Sequence, residues 1–328
     1  MEINERDMIK ALMIACVALS GCAGLQTRLP VPDAESLSAE VSTQEKLAFS
    51  RYETMLTRLD RISTEILQAN VELCEKTKPG IGIRTHAKKT YSKHLRSAAG
   101  RWLGATDTPS VILVSANSPA SLAGIIKSDI LLNTKDKPVH ARNKYVLGDD
   151  NTVRVRRGED VLVLTLEPRT RCGYPVYLRM SGAINAYATG RSIIVTTAMM
   201  DFAATDEELA LVVGHELAHN TMGHVPKILR NMILSGFATR TTRPFEAEAD
   251  YVGLYYMARA GYDMEGVEAF WRRLGVQHPK NIVRAKTHPI TPSRLLSIRL
   301  TAQEIENKRS ADQPLVPNIL SKTLNSNP

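Results

Sequence analysis

The stretch Leu211-Val-Val-Gly-His215-Glu216-Leu-Ala-His219 constrains this chain more than any other. It reads H-E-x-x-H inside an apolar run. On an α-helix, residues four apart share a face, with Cβ atoms about 5–6 Å apart. His215 and His219 can therefore ligate one metal ion together. Glu216 is one residue on, turned by about 100°. Its carboxylate then falls where a general base for an attacking water must sit. In a chain with eight histidines, chance yields this motif in roughly one sequence in a hundred, so the surroundings have to carry weight. Thr205-Asp-Glu-Glu208 reads as a capping box that starts the helix just upstream. Leu209, Val212, Val213 and Leu217 form an apolar stripe at helical spacing. The bland alternative is a helix with two surface or core histidines. Two imidazoles and a carboxylate on a mostly buried helix are costly without partners, which favours a zinc site.

A catalytic zinc wants three protein ligands, often two histidines and a glutamate, with one position left for water. His224 follows His215 by nine residues. That spacing turns it about 180° around a continuing helix, so it is expected to face away. Phe245-Glu246-Ala-Glu-Ala-Asp250-Tyr is the better source. Glu246 and Asp250 share a helix face. Glu246 is expected to be the third ligand. Asp250 is expected to orient a ligand histidine by accepting its other ring N–H. Glu248 points elsewhere and is read as solvent-facing or structural. The competing reading is an amphipathic helix with three surface acids.

The 328 residues suffice for two modest domains, and 43% hydrophobic residues is ordinary for a globular chain. The formal charge of +8 comes from scattered Lys and Arg, without aromatic interleaving or a nucleic-acid motif. No nucleic-acid partner is expected. Residues 1–21 read as an export signal, with Arg6 and Lys10 before the short apolar core Ala11–Leu19. Leu19-Ser-Gly-Cys22 resembles a bacterial lipobox, which implies acylation of Cys22 and a lipid anchor in the envelope. Ala23 after the cysteine favours, by the same resemblance, a periplasm-facing protein of the outer membrane. The alternative is an ordinary signal peptide with an accidental cysteine. Residues 22–37 read as a tether.

Residues 38–74 read as one long helix, with Tyr52, Met55, Leu59, Ile62, Ile66, Ala69 and Leu73 as its apolar seam. The seam either lies against its own domain or pairs with a second copy; the sequence does not fix the oligomer. Cys74 and Cys172 remain once Cys16 leaves with the signal and Cys22 is lipidated. In an oxidising compartment they suggest a disulfide, the alternative being two buried thiols. Between them the chain is rich in strand patterns, at 111–114, 129–132, 152–156 and 161–166. The run Ser118-Pro-Ala-Ser-Leu-Ala-Gly-Ile-Ile-Lys-Ser-Asp-Ile-Leu131 is similar to PDZ domains of bacterial envelope proteases. The resemblance covers 75–172 and makes Ile81-Gly82-Ile83 the loop that would capture a peptide C-terminus. The span from Val139 to Val153 leaves little room for the helix forming that groove's second wall. Peptide capture and a structural or regulatory role both stay open.

The catalytic half, 173–305, opens with strands at 176–180, 184–188 and 193–196. An edge strand beside an H-E-x-x-H helix can take an extended substrate as an added strand. Asn185, Ala186 and Tyr187 are expected in that role, against an ordinary hairpin packed under the helix. The segments Asn-Ala-Tyr-Ala (185–188), His-Glu-Leu-Ala-His (215–219), Glu-Ala-Glu-Ala-Asp (246–250) and Thr-His-Pro-Ile-Thr-Pro-Ser-Arg (287–294) occur in this order. Together they resemble the gluzincin family of HtpX, the CAAX-prenyl endopeptidases and envelope quality-control metalloproteases. With the preceding readings, the expected architecture is an α+β fold: a helical zincin-type metallopeptidase domain with a small β-sheet, a PDZ-like β-rich domain and an N-terminal long helix. The family resemblance covers about 174–300. It implies one zinc ion on His215, His219 and Glu246, Glu216 as base, and protein or peptide substrates. His288 and Arg294 match the family's late pair. His288 would assist the reaction or cap the zinc, and Arg294 would pair with an acid near the site. Residues 225–243 are read as a mobile lid and 306–328 as a disordered tail. An anchored chaperone or adaptor with a latent metal site is the rival to a quality-control endopeptidase.

Overall fold

The computed structural model describes residues 30–141, 146–234, 243–277 and 292–324. Contacts divide the chain into Met1–Gln44 and Glu45–Pro328. Helix α1, Ala34–Ala69, begins in the first of these. There Asp33 caps it, its carboxylate accepting from the Ser36 backbone N–H at 2.8 Å, and Leu37 and Val41 are exposed.

Within the second unit, α1 buries one stripe. Phe49, Tyr52 and Leu56 pack with Tyr91, Ala99 and Leu103. Met55, Leu59, Ile62 and Ile66 enter the main core of the catalytic half. The seam thus lies against its own domain. A 3-10 turn, Val71–Leu73, then leads to Cys74.

The β-rich part is an excursion from Cys74 to Cys172. Its ends are joined twice. The two sulfurs are bonded, with Cα atoms 5.6 Å apart. Strand β1 (Thr77–Gly80) also pairs antiparallel with β7 (Arg169–Cys172). Between them run β2 (Ile83–His86), helix α2 (Arg96–Leu103), β3 (Ser110–Val114), helix α3 (Pro119–Leu122), β4 (Ile130–Leu132), β5 (Thr152–Arg157) and β6 (Asp160–Thr165). β2 pairs with β3, and β4-β5-β6 form an antiparallel sheet. Alternation explains β5: Val153 and Val155 point inward while Arg154 and Arg156 point outward. Gly158, at φ 63°, makes the β5–β6 turn. Ser118 caps α3, its hydroxyl accepting from Ser121 N–H at 3.2 Å. Among the described residues, no helix lies between Val139 and Val153.

The catalytic half adds β8 (Val176–Arg179), β9 (Ala186–Ala188) and β10 (Ile193–Thr196) in the order β8-β10-β9. Helices α4 (Thr197–Phe202), α5 (Asp206–Thr221), α6 (His224–Leu234), α7 (Arg243–Arg259), α8 (Val267–Gln277), α9 (Pro292–Ser310) and α10 (Asn318–Leu324) follow. The whole is an α+β fold. No helix among the described residues is long and apolar enough to cross a membrane.

Of the segment read as a lid, residues 225–234 lie in α6 and Arg243 opens α7, while 235–242 lie outside the described residues. One expectation needs correction. The tail beyond 305 is helical through Ser310 and again from Asn318. Its polar composition suggested disorder, but polar groups of the segment dock on α7. Asn318 N–H donates to the Tyr251 hydroxyl at 3.0 Å, beside Glu304, which accepts from Tyr251 Oη at 2.6 Å and from Tyr255 Oη. Arg309 donates to the Ala258 carbonyl at 3.1 Å. Ile305 is fully buried beneath them.

Candidate metal centre

Helix α5 carries H-E-x-x-H and is buried on nearly all sides, from Glu208 through Asn220. Its start is fixed by local and distant groups. Thr205 Oγ1 accepts from Glu208 N–H at 3.3 Å, while the Glu208 carboxylate accepts from Ala204 N–H at 2.8 Å. The box therefore closes one residue earlier than its pattern implies. Arg58 of α1 donates to Asp206 at 2.8 Å and to the Ala203 carbonyl at 2.8 Å, and Arg61 also pairs with Asp206. Burial would raise the Asp206 pKa, but these guanidiniums outweigh it and hold it below the usual carboxylate range. The long helix thus holds the start of the site helix.

At its far end, Asn220 ties α5 to the β9–β10 hairpin. Its carbonyl accepts from Gly190 N–H at 2.7 Å and its amide donates to the Ser192 carbonyl at 3.1 Å. β9 is an edge strand, hydrogen-bonded only to β10 among the described strands. It contains Ala186 and Tyr187, with Asn185 just before it. The Asn185 backbone N–H donates to Thr196 Oγ1 at 3.2 Å. The Tyr187 hydroxyl accepts from Arg179 at 3.0 Å.

Helix α7 crosses α5 at two glycines. A Cβ on Gly214 would lie 2.7 Å from the Gly253 carbonyl oxygen, and one on Gly253 would lie 2.8 Å from the His215 nitrogen. Only glycine permits that approach. It brings Glu246 to the histidines. His215 Nε2 and His219 Nε2 are 3.2 Å apart. Glu246 Oε2 lies 3.6 Å from the first and Oε1 3.5 Å from the second. Zinc ligands at about 2.0–2.1 Å in tetrahedral array sit about 3.3 Å from one another. The cluster therefore fits a tetrahedral divalent ion. Its charge fits as well. Glu216, Glu246 and Asp250 are 2–3% exposed. Against their three carboxylates stands one buried guanidinium, Arg294. The net formal deficit is one that a divalent cation cancels.

Asp250 Oδ1 lies 2.9 Å from His215 Nδ1. Arg294 grips the same carboxylate with Nε and with Nη2, the latter at 2.7 Å, and its Nη1 lies 3.7 Å from Glu246. Arg294 also stacks over Trp271 at 4.3 Å, and Trp271 meets the His215 ring edge-on at 5.4 Å. Burial alone would raise the Asp250 pKa, but the Arg294 charge outweighs it and keeps it below the ordinary range. Burial likewise opposes protonation of His215, yet hydrogen bonds to Asp250 and Glu246 push its pKa up to about 9. A metal entering there displaces a proton.

Sequence reasoning missed the surroundings of His224. Helix α5 ends at Thr221, and Gly223, at φ 63°, turns the chain before α6 begins. Helical counting from His215 therefore stops applying. His224 is fully buried. Its Nδ1 lies 3.1 Å from His219 Nδ1, and its Nε2 lies 2.8 Å from Glu248 Oε2. It lies on the Nδ1 side of His219, away from the Nε2 ligand atoms, and so touches a ligand. Glu248 is half-buried against it rather than solvent-facing. His288 and Cys22 lie outside the described residues.

Residues 164–235 and 227–302 match the model of peptidase family M48. Among proteins of known role, the chain is 28% identical over 115 residues to the mitochondrial metalloendopeptidase OMA1 of Arabidopsis thaliana, covering 28% of this chain and 24% of that protein. OMA1 of Schizosaccharomyces pombe is 26% identical over 147 residues, 37% of this chain and 44% of its own. The Beta-barrel assembly-enhancing protease of Yersinia pestis is 24% identical over 176 residues, 42% of this chain and 36% of its own. The chain thus spans less than half the length of each of these relatives. The M48 match spans the His215, His219, Glu246 cluster, and the two together support a metallopeptidase role.

Proposed function

We propose that the protein is a zinc-dependent endopeptidase that cleaves unfolded or extended proteins of the bacterial envelope. The observation that carries this reading is the convergence of two imidazoles and one carboxylate at 3.2–3.6 Å. His215, His219 and Glu246 would hold the zinc, which would supply Lewis-acid polarisation of the scissile carbonyl and of the attacking water. Glu216 takes the proton of the attacking water and passes it to the leaving amine. Asp250 accepts the His215 Nδ1–H and fixes that ring, and Arg294 keeps Asp250 ionised. The free edge of β9 receives an extended chain by main-chain hydrogen bonds, which suits unfolded rather than compact substrates. Lipidation at Cys22 would anchor the enzyme facing the periplasm. Similarity to the Beta-barrel assembly-enhancing proteases supports an envelope location.

Glu216→Gln tests the mechanism. The variant should keep one zinc per chain while its rate on an unfolded protein such as casein falls by about 10²–10⁴. Wild-type cleavage by that variant would refute the assigned base. A wild-type chain that binds zinc but cleaves nothing would refute the peptidase reading.

A further inference from the structure

The two ligand histidines are supported differently, and the difference assigns roles to two residues outside the ligand set. His215 and His219 turn their Nε2 atoms toward Glu246 and each other, so each ring's Nδ1 points outward. Behind His215 stands a carboxylate, Asp250, at 2.9 Å. Behind His219 stands a second imidazole, His224, at 3.1 Å, and behind that the Glu248 carboxylate at 2.8 Å.

Two imidazole nitrogens can share a hydrogen bond only if one is N–H and the other bare. A histidine that gives its Nε2 lone pair to a metal carries its proton on Nδ1. His219 must then donate from Nδ1 to a bare His224 Nδ1. His224 must in turn hold its proton on Nε2 and donate to Glu248. One assignment satisfies every contact, and it ends on a carboxylate. We propose that His224 and Glu248 form a positioning relay that fixes the tautomer and orientation of the metal ligand His219. The proposal rests on the metal-site reading given above.

Packing agrees with that role. His224 opens α6, and the left-handed turn at Gly223 brings it beneath His219. The Phe245 ring lies 5.0 Å from it and the His219 ring 5.1 Å. A fully buried imidazole costs free energy unless both nitrogens are used, and here both are. His224 is not a fourth ligand, because it meets His219 on the Nδ1 side, opposite the Nε2 atom that faces His215 and Glu246. Helix α7 then supplies three acids with three tasks from one short run: Glu246 to the metal, Asp250 to His215, and Glu248 to His224.

The test compares His224→Phe with His224→Asn in the full chain. Phenylalanine fills the buried space but accepts no hydrogen bond. Asparagine packs worse but places an acceptor oxygen near the Nδ1 position. The readouts are the zinc dissociation constant by chelator competition and the visible absorption of the cobalt-substituted protein. The relay predicts that His224→Phe weakens zinc by about 10–100-fold with a changed cobalt spectrum. His224→Asn should recover most of that loss. A merely structural role predicts the reverse order, so His224→Asn binding zinc less tightly than His224→Phe would overturn the relay. So would a phenylalanine variant with wild-type affinity and spectrum. If His224→Phe does not fold, Glu248→Ala decides: a loss of about 3-fold or more in zinc affinity is expected, and no change overturns the proposal. A wild-type protein that binds zinc but lacks peptidase activity sinks the proposed function and leaves the relay standing. Full peptidase activity with a zinc affinity indifferent to position 224 does the opposite.

Discussion

Around α5 and α7 a cluster of ionisable groups is buried within the apolar core, whereas between Cys74 and Cys172 the buried groups are mostly apolar. In the first region His215, Glu216, His219, Glu246, Asp250 and Arg294 are each no more than 5% exposed. In the second, the core is Val111, Ala120, Ile125, Leu131, Val153, Val155 and Leu166. Asp129 is the one buried carboxylate there among the described residues, and Arg157 holds both its oxygens at 2.8 and 2.7 Å. Buried charge is poor evidence of stability, since desolvation offsets most of the attraction. The half that carries α5 and α7 can tolerate it because the charges converge on one point where a divalent cation would balance them. The excursion has no such focus. It gains its order from apolar packing and from the double closure of its two ends. One region is therefore built for chemistry and the other for shape.

Removing the closure should produce the largest change. Replacing Cys74 and Cys172 together by serine opens a loop of 98 residues, which costs about 5 kcal/mol in the chain-entropy model. Denaturant unfolding should show the loss, while zinc stoichiometry stays near one. Loss of zinc in step with the disulfide would break the contrast, because the two regions would then be energetically inseparable.

Gly253→Ala should cost less overall but act on the opposite region. Its new methyl meets backbone rather than a yielding side chain, and overpacking of this kind costs about 1–3 kcal/mol. Helix α7 has to move off α5, carrying Glu246 with it. Zinc affinity should fall along with the melting temperature. An unchanged affinity would show that the glycine crossing does not set the ligand spacing.

Asp129→Ala should have the smallest effect, about 1 kcal/mol, from lost hydrogen bonds with the Arg157 guanidinium free to reach solvent. Thermal unfolding should register it while zinc binding and cleavage stay at wild-type values. A change in either would reveal coupling between the excursion and the metal centre.

The site was legible in the sequence wherever its geometry is local. His215 and His219, Glu246 and Asp250, and the Thr205 cap all follow from residues three or four apart on one helix. Arg294 was legible only as a charge needing an acid, not as a clamp on Asp250. Asn220 was missed although it directly follows H-E-x-x-H, because its partners, Gly190 and Ser192, are joined to it only by the fold. The C-terminal segment was misread because polar composition says nothing about whether the Ala258 carbonyl and the Tyr251 hydroxyl stand opposite Arg309 and Asn318.

The sequence by itself determined which side chains share a helix face, because helical periodicity is a property of neighbouring residues. It thereby specified two half-sites, one on each of two helices. Only the tertiary structure decided that the half-sites meet. That decision rests on backbone contact between Gly214 and Gly253, which no spacing encodes. It also placed His224 behind His219, because a left-handed turn at Gly223 cancels the periodicity from which its direction had been counted.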